Sequence, residues 1–184
     1  MRYLLPLLVL PALLLATPAS AQMLVLGKSQ AAECYQRVLM QDQGSQTAKR
    51  VCEKALKDDL APKDEAATYV NLGVLQMRSG RFEESRDSYT QALKIAPKLP
   101  EAYINYGAAL FYMGHYDESV DANTQAIDLD TRKMAEALYN RGLAYDALQN
   151  YKAAYLDFQK ALSLKPDWEL AKSALSRYDV KTRS

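Results

Sequence analysis

From residue 66 onward, apolar and small residues recur at helical spacing in paired runs, separated by short polar breaks. The first run holds Tyr69, Leu72, Gly73 and Gln76, and its partner holds Phe82, Ser85, Tyr89 and Ala92. Steps of three, four and seven residues place each set on one face of a helix. The pattern returns as Tyr103, Tyr106, Gly107 and Leu110, followed by Tyr116, Ser119, Asn123 and Ala126. A third copy reads Leu138, Arg141, Gly142 and Tyr145, then Tyr151, Ala154, Phe158 and Ala161. Gly73, Gly107 and Gly142 stand 34 and then 35 residues apart. The aromatics Phe82, Tyr116 and Tyr151 keep the same step, as do Ala92, Ala126 and Ala161. A period of that size marks a stacked array of helix pairs, and the fold class is all-α.

Each repeated position has a physical reason. A glycine inside a helix costs up to about 1 kcal/mol against alanine, so its repetition implies close approach of two helices. Small residues at Ser85, Ser119 and Ala154, and at Ala92, Ala126 and Ala161, serve the same packing. The aromatics that open each second helix are expected to fill the wedge between neighbouring units, burying a large apolar area. Gly80 and Gly114 close the first helices where a left-handed residue is needed. The third unit has Gln149-Asn150 there, and asparagine is expected to take that conformation. Pro97 and Pro166 end the second helices of units one and three, with Thr131 in the equivalent slot of unit two. The extra residue between units two and three falls around 132–134, where it would change the angle between units slightly.

Residues 29–64 read as a degenerate helix pair. Ala31, Cys34, Tyr35, Val38 and Leu39 form one stripe, and Ala48, Val51, Cys52, Ala55 and Leu56 the other, with Gly44 and Ser45 as a turn. Gln36 takes the glycine slot. Pro62-Lys63-Asp64 leads into the first good repeat, with Asp64 expected as its N-cap. At the other end Asp167 is expected to cap a last helix over 167–180, before a tail at 181–184. Its stripe of Trp168, Ala171, Leu175 and Tyr178 would cover the end of the array, with Lys172 and Arg177 outward. The count is nine helices: four pairs and a cap.

The first 21 residues read as a leader outside this pattern. Arg2 precedes a 13-residue apolar run over 4–16, and Ala19-Ser20-Ala21 offers the small residues a signal peptidase reads. A membrane-spanning helix needs roughly 20 residues, so no stable membrane anchor is expected. A cut after Ala21 leaves a periplasmic or secreted chain of 163 residues, with Gln22 rather than a lipid-carrying cysteine first. Residues 22–28 then form a flexible strip whose Met23-Leu24-Val25-Leu26 run could lie in a groove or on a neighbouring molecule. The mature chain carries 22 basic and 22 acidic groups, which gives no case for nucleic acid or anionic membrane as the main partner.

Cys34 and Cys52 are the two cysteines, 18 residues apart. That spacing suits neither a zinc site nor a CxxC redox pair. Both lie nine residues from Gln43, at equal height in an antiparallel pair, and an exported chain favours their joining. A bridge there would stabilise the hairpin by about 3 kcal/mol; two buried free thiols are the alternative.

The three units resemble the tetratricopeptide repeat family over residues 65–166, with copies at 66–99, 100–133 and 135–168, and the leader suggests an exported type. The resemblance implies a right-handed superhelix of antiparallel helix pairs, a helical solenoid, whose first helices line a concave groove. Carried over, the groove positions of unit one are Ala67, Val70, Asn71, Val74, Met77 and Arg78. Unit two gives Glu101, Ile104, Asn105, Ala108, Phe111 and Tyr112, and unit three Glu136, Tyr139, Asn140, Leu143 and Asp146. The family's clamp for a terminal carboxylate needs a lysine and an asparagine where Val70 and Val74 stand. Glu101 and Glu136 would repel such a ligand, so the clamp is not expected. The middle of the face is instead apolar, through Val74, Met77, Ile104, Phe111, Tyr112, Tyr139 and Leu143, which suits a helix or extended peptide. Inter-helix core is the alternative role for these residues. Asn71, Asn105 and Asn140 recur in register and would hydrogen-bond a peptide backbone.

No catalytic constellation accompanies the groove. His115 falls in a short turn. Glu83-Glu84, Asp117-Glu118 and Asp58-Asp59 sit at turns and helix starts, where they complement the helix dipole. Neither metal-ligand spacing nor a phosphate loop is present, so no enzyme, metal or cofactor is expected. The expectation is an exported scaffold or adaptor, a monomer or weak homo-oligomer, with a protein or peptide partner. The alternative is a structural protein whose groove or end helix meets another copy of itself.

Overall fold

A computed structural model describes residues 29–40 and 45–178, and among these residues nine α-helices follow one another. They are α1 (Gln30–Leu39), α2 (Gln46–Ala55), α3 (Pro62–Arg78), α4 (Phe82–Ile95), α5 (Pro100–Tyr112), α6 (Tyr116–Asp128), α7 (Met134–Ala147), α8 (Tyr151–Leu164) and α9 (Glu169–Ser176). The leader at 1–21, the strip at 22–28, Gly44 and the tail at 181–184 lie outside the described residues. No strand is present among the described residues. The helices pair antiparallel as α1–α2, α3–α4, α5–α6 and α7–α8, and each pair packs on the next, with α9 laid on α8.

Local chemistry sets the ends, not always where the sequence suggests. Ser29 and Ser45 cap α1 and α2, their Oγ atoms accepting from the N–H groups of Ala32 (3.1 Å) and Ala48 (3.2 Å). Asp64 is not the cap of α3. Pro62, whose fixed φ suits the first helical position, starts the helix earlier, so Ala61 is the N-cap and Asp64 falls within the first turn. Asp167 likewise does not cap α9, which begins after Trp168 without a side-chain cap. Gly80 (φ 72°) and Gly114 (φ 82°) take the left-handed conformation as expected, but in unit three Gln149 (φ 60°) takes it instead of Asn150. Asn150 is the N-cap of α8, its Oδ1 accepting from Ala153 N–H at 3.3 Å. Between units two and three, Asp130 turns left-handed at φ 52°, and Thr131 Oγ1 accepts from Lys133 N–H at 3.1 Å.

The repeat glycines mark the closest approaches of the paired helices. A Cβ placed on Gly73 would lie 2.5 Å from the Tyr89 ring, and one on Gly142 would lie 2.7 Å from the Phe158 ring. On Gly107 it would press into the Asn123 amide. Ser119 Oγ donates to the Gly107 carbonyl at 2.8 Å, a further tie between α5 and α6. Ser85, Ser119, Ala154, Ala92, Ala126 and Ala161 are fully buried at these crossings. Phe82 and Tyr116 are half-buried between units. Tyr151 departs from the wedge role and is 54% exposed, because no full unit follows it; its nearest aromatic neighbour is Tyr178, 6.3 Å away.

At the N-terminal end, Cys34 and Cys52 form a disulfide with Cα atoms 4.8 Å apart, so the free-thiol alternative falls. Both are buried with Val38 and Ala48 against Leu72, Val74 and Leu75 of α3. At the other end α9 is held by Asp146, which accepts from the Tyr178 hydroxyl and pairs with Arg177 at 3.2 Å. In unit three a buried ion pair also joins α7 to α8: Arg141 donates twice to Asp157 (2.8 and 2.9 Å) and once to Thr124 of α6 (3.1 Å).

Candidate partner-binding groove

The first helices α3, α5 and α7 carry the positions expected to face a partner, and the structure divides them. Val70, Asn71, Val74 and Met77 of α3 are all buried. Val70 and Met77 pack with Tyr89, Ala92, Ala102 and Ala109, while Val74 joins the core around the disulfide. Ile104 of α5 is buried with Ala126 and Ala137. These residues are inter-helix core, because α3 is flanked by α1, α2, α4 and α5 and its apolar side chains meet those neighbours. Arg78 is also drawn away, donating to the Val38 carbonyl at the end of α1 (2.9 Å).

What stays open lies on α5 and α7. Asn105, Ala108 and Phe111 are half-buried and Tyr112 is 37% exposed. Tyr139, Asn140 and Leu143 are half-buried, with Tyr139 flanked by Trp168 at 4.8 Å and Leu143 packed towards Phe158. The aromatic part is ordered by its own contacts. Tyr112 stacks on Phe82 with ring centroids 5.0 Å apart and meets Phe111 edge-on at 5.8 Å, and Phe111 lies 5.4 Å from Tyr116. Such pairs are worth about 0.5–1.5 kcal/mol beyond burial, so Tyr112 presents a held ring. Phe82 was expected only as a wedge residue; its repeat position says nothing of the ring that α5 brings beside it. Burial pushes the phenols of Tyr112 and Tyr139 above their ordinary range, so both remain neutral donors at physiological pH.

The polar side of the face is neutralised internally. Glu136 Oε1 accepts from Lys165 at 2.6 Å, and the Lys165 ammonium lies 5.2 Å from the Trp168 ring. Lys133 feels both Glu101 and Glu136, although burial outweighs them and pulls its ammonium below the usual lysine range. Two buried atoms one helical turn apart on α7, Glu136 Oε2 and Asn140 Nδ2, have no hydrogen-bond partner among the described residues.

A second concavity, a cleft of about 260 Å3, opens between α2, α3 and α4, with Lys49, Glu53, Gln76, Glu84 and Tyr69 among its lining residues. Lys49 bridges it to Glu84 at 2.7 Å and holds that carboxyl below its usual range. Gln76 Oε1 accepts from Ser88 Oγ at 2.7 Å in the same place. Among the described residues no group of three or more His, Cys, Asp or Glu side chains is arranged to hold a metal ion, and no helix is long and apolar enough to cross a membrane. His115 is exposed beside Glu118 at 3.5 Å.

The sequence matches the tetratricopeptide repeat over residues 64–132 and again over 135–167. No curated protein matches it in sequence. Among solved structures it is similar to MamA, at 26% identity and a TM-score of 0.66, over 78% of this chain and 81% of that one. The second such domain of human RPAP3, in complex with the HSP70 peptide SGPTIEEVD, is 26% identical with a TM-score of 0.60, over 64% of this chain and 97% of that one. The first repeat domain of Spaghetti (RPAP3), bound to the HSP90 peptide SRMEEVD, is 26% identical with a TM-score of 0.59, over 61% and 88%.

Proposed function

The chain belongs to the tetratricopeptide repeat family, and we propose that it is an exported interaction module, a scaffold or adaptor that takes a segment of a partner protein onto the open face of α5 and α7. The carrying observation is the held aromatic row of Phe82, Tyr112 and Phe111, whose Tyr112 ring stays 37% exposed on the open face of α5. An apolar or aromatic anchor of a partner segment fits this row. Peptide complexes of the RPAP3 domains support a peptide as the kind of ligand. Their peptides end in Glu-Glu-Val-Asp, whereas here Val70 and Val74 stand where a carboxylate clamp needs its lysine and asparagine, and both are buried. The preferred partner segment is therefore apolar or aromatic and uncharged at this point. Export rests on the leader at 1–21, with the periplasm or the outside as destination.

Capture of a partner from the envelope fraction by the mature protein, compared with the Phe111→Ala/Tyr112→Ala variant, tests this reading. Loss of capture with an unchanged helical circular dichroism spectrum supports it; undiminished capture overturns it. A self-assembling structural protein is the second reading, favoured by the exposed Leu156 and Leu164 on α8. Light scattering over a range of concentrations separates the two, since a stable monomer excludes assembly.

A further inference from the structure

We propose that the partner segment taken by this groove is proline-rich, extended as a polyproline II helix, and laid across the rings of Tyr112, Tyr139 and Trp168. The inference rests on the open face of α5 and α7 being a peptide site, and it adds the class of peptide.

The rings continue beyond α5. On α7, Tyr139 lies 4.8 Å from the Trp168 ring at the start of α9, and the Lys165 ammonium, 5.2 Å from Trp168, also holds the indole. The Tyr139 phenol is near enough to Tyr112 and Arg177 to feel both. In the repeat Tyr139 corresponds to Ile104, eight residues before Tyr112. Eight helical residues rise about 12 Å and neighbouring helix axes stand roughly 8–10 Å apart, so the backbones of the two tyrosines are about 15 Å apart on the diagonal. Polyproline II rises about 3.1 Å per residue, so about five residues cross that distance.

Hydrogen bonding separates this segment from its rivals. Among the described residues, the Tyr112 and Tyr139 hydroxyls and the Trp168 indole N–H have no hydrogen-bond partner, and none of the three is sealed from solvent. The carboxylates beside them are taken. Glu136 Oε1 accepts from Lys165 at 2.6 Å, and Asp146 accepts from the Tyr178 hydroxyl and pairs with Arg177 at 3.2 Å. A helical segment satisfies its own backbone and leaves the three donors idle. A β-strand brings an N–H at every residue, with few acceptors here to meet them. A proline-rich segment brings carbonyls without internal partners and lacks an N–H at each proline, and aromatic-lined grooves suit it.

Charge points the same way. The carboxylates of α5 and α7 at this face are Glu101, Glu136 and Asp146, and Lys133, Lys165 and Arg177 stand against them. The remaining ion of α7, Arg141, is spent on Asp157 of α8. The face is neutral as a whole, which suits a segment without charge.

Anisotropy titration of the mature chain with a fluorescein-labelled Pro-Leu-Pro-Pro-Leu-Pro-Pro peptide tests the proposal. Saturable binding is expected, about tenfold tighter than for the same peptide with alanine at every proline, which loses the preformed conformation. Trp168, the single tryptophan, should change its emission on saturation with unlabelled peptide. Tyr112→Phe and Trp168→Phe each keep a ring and remove a donor, and each should weaken binding about fivefold with an unchanged helical circular dichroism spectrum. No saturable binding, equal affinity for the alanine peptide, or indifference to both substitutions overturns the proposal. Any of these alongside partner capture that still requires Phe111 and Tyr112 overturns the proline assignment alone. Capture indifferent to those two residues overturns the groove reading on which it rests.

Discussion

Asn123 closes over Gly107 in the middle repeat, in the place where the Tyr89 ring closes over Gly73 and the Phe158 ring over Gly142. In each unit the covering residue follows its glycine by 16 positions, so one contact recurs with three different side chains. All three covering side chains are fully buried, but the rings fill their sites. The smaller Asn123 side chain meets the added Cβ with its amide tip, which can turn about its last torsion at the cost of its 2.8 Å bond to the Ser119 carbonyl. Gly142→Ala is therefore expected to destabilise the fold by about 1–3 kcal/mol, and Gly107→Ala by less, since alanine's helix propensity offsets part of the strain. Urea unfolding midpoints of the two variants check the ranking; equal losses would contradict it.

How much of this was legible beforehand follows from such contacts. The glycine period placed helix pairs, turns and the end helix, because close approach demands small residues at fixed spacing. It did not reveal that Val70, Val74, Met77 and Ile104 are covered. A stripe shows which face of a helix is apolar, and only the neighbouring helices decide whether that face is core or groove. Gln149 and Asn150 exchanged roles for a similar reason: both suit a turn, but only asparagine can also cap α8. Phe82 entered the site through Tyr112, thirty residues on, which no local pattern encodes.

Removing the disulfide should act locally. Cys34→Ala/Cys52→Ala is expected to lower stability by about 3 kcal/mol, with amide protection lost mainly in α1 and α2. Hydrogen exchange read by mass spectrometry would show α5 to α8 nearly unchanged. A uniform loss of protection would instead mean that the N-terminal pair supports the whole array.

The Arg141–Asp157 pair replaces Leu72 and Ser88 of the first repeat and Tyr106 and Ala122 of the second. Arg141→Ala leaves the Asp157 carboxylate buried without its cation, a loss of about 3 kcal/mol. Arg141→Tyr combined with Asp157→Ala copies the second repeat and should recover most of it. Thermal melts of the two single variants and the double variant form a cycle; a double variant no better than Arg141→Ala would count against the assignment.

Alkaline pH should loosen the end helix. Burial, followed by the hydrogen bond to Asp146 and the charge of that residue, raises the Tyr178 phenol well above its ordinary value of 10.0. A raised folded-state pKa gives stability that is complete below the unfolded value, and that declines once pH passes about 10. Trp168, the single tryptophan, lies at the start of α9 against Tyr139 and reports the docking. Its fluorescence is expected to change above pH 10 in the native chain, and to lose most of that transition in Tyr178→Phe.

Phe82 should matter to binding although it lies outside the open face. Phe82→Ala removes the ring beneath Tyr112, worth about 0.5–1.5 kcal/mol, and should weaken partner capture about two- to twelvefold. Phe82→Leu should do so almost as much, because it fills space without stacking. Titration with the captured partner checks both; unchanged affinity would show that Tyr112 needs no support.

The bridge between Cys34 and Cys52 joins helices of 10 residues each, shorter than the ~12–15 residues an isolated helix needs in water. Where thiols are kept reduced, the first helix pair loses its covalent tie, and the beginning of the array is expected to fray more readily. Where they are oxidised, the array starts at residue 30. The redox state of its surroundings is thus expected to set how firmly the first helix pair is held, because without the bridge its order rests mainly on packing against Leu72, Val74 and Leu75.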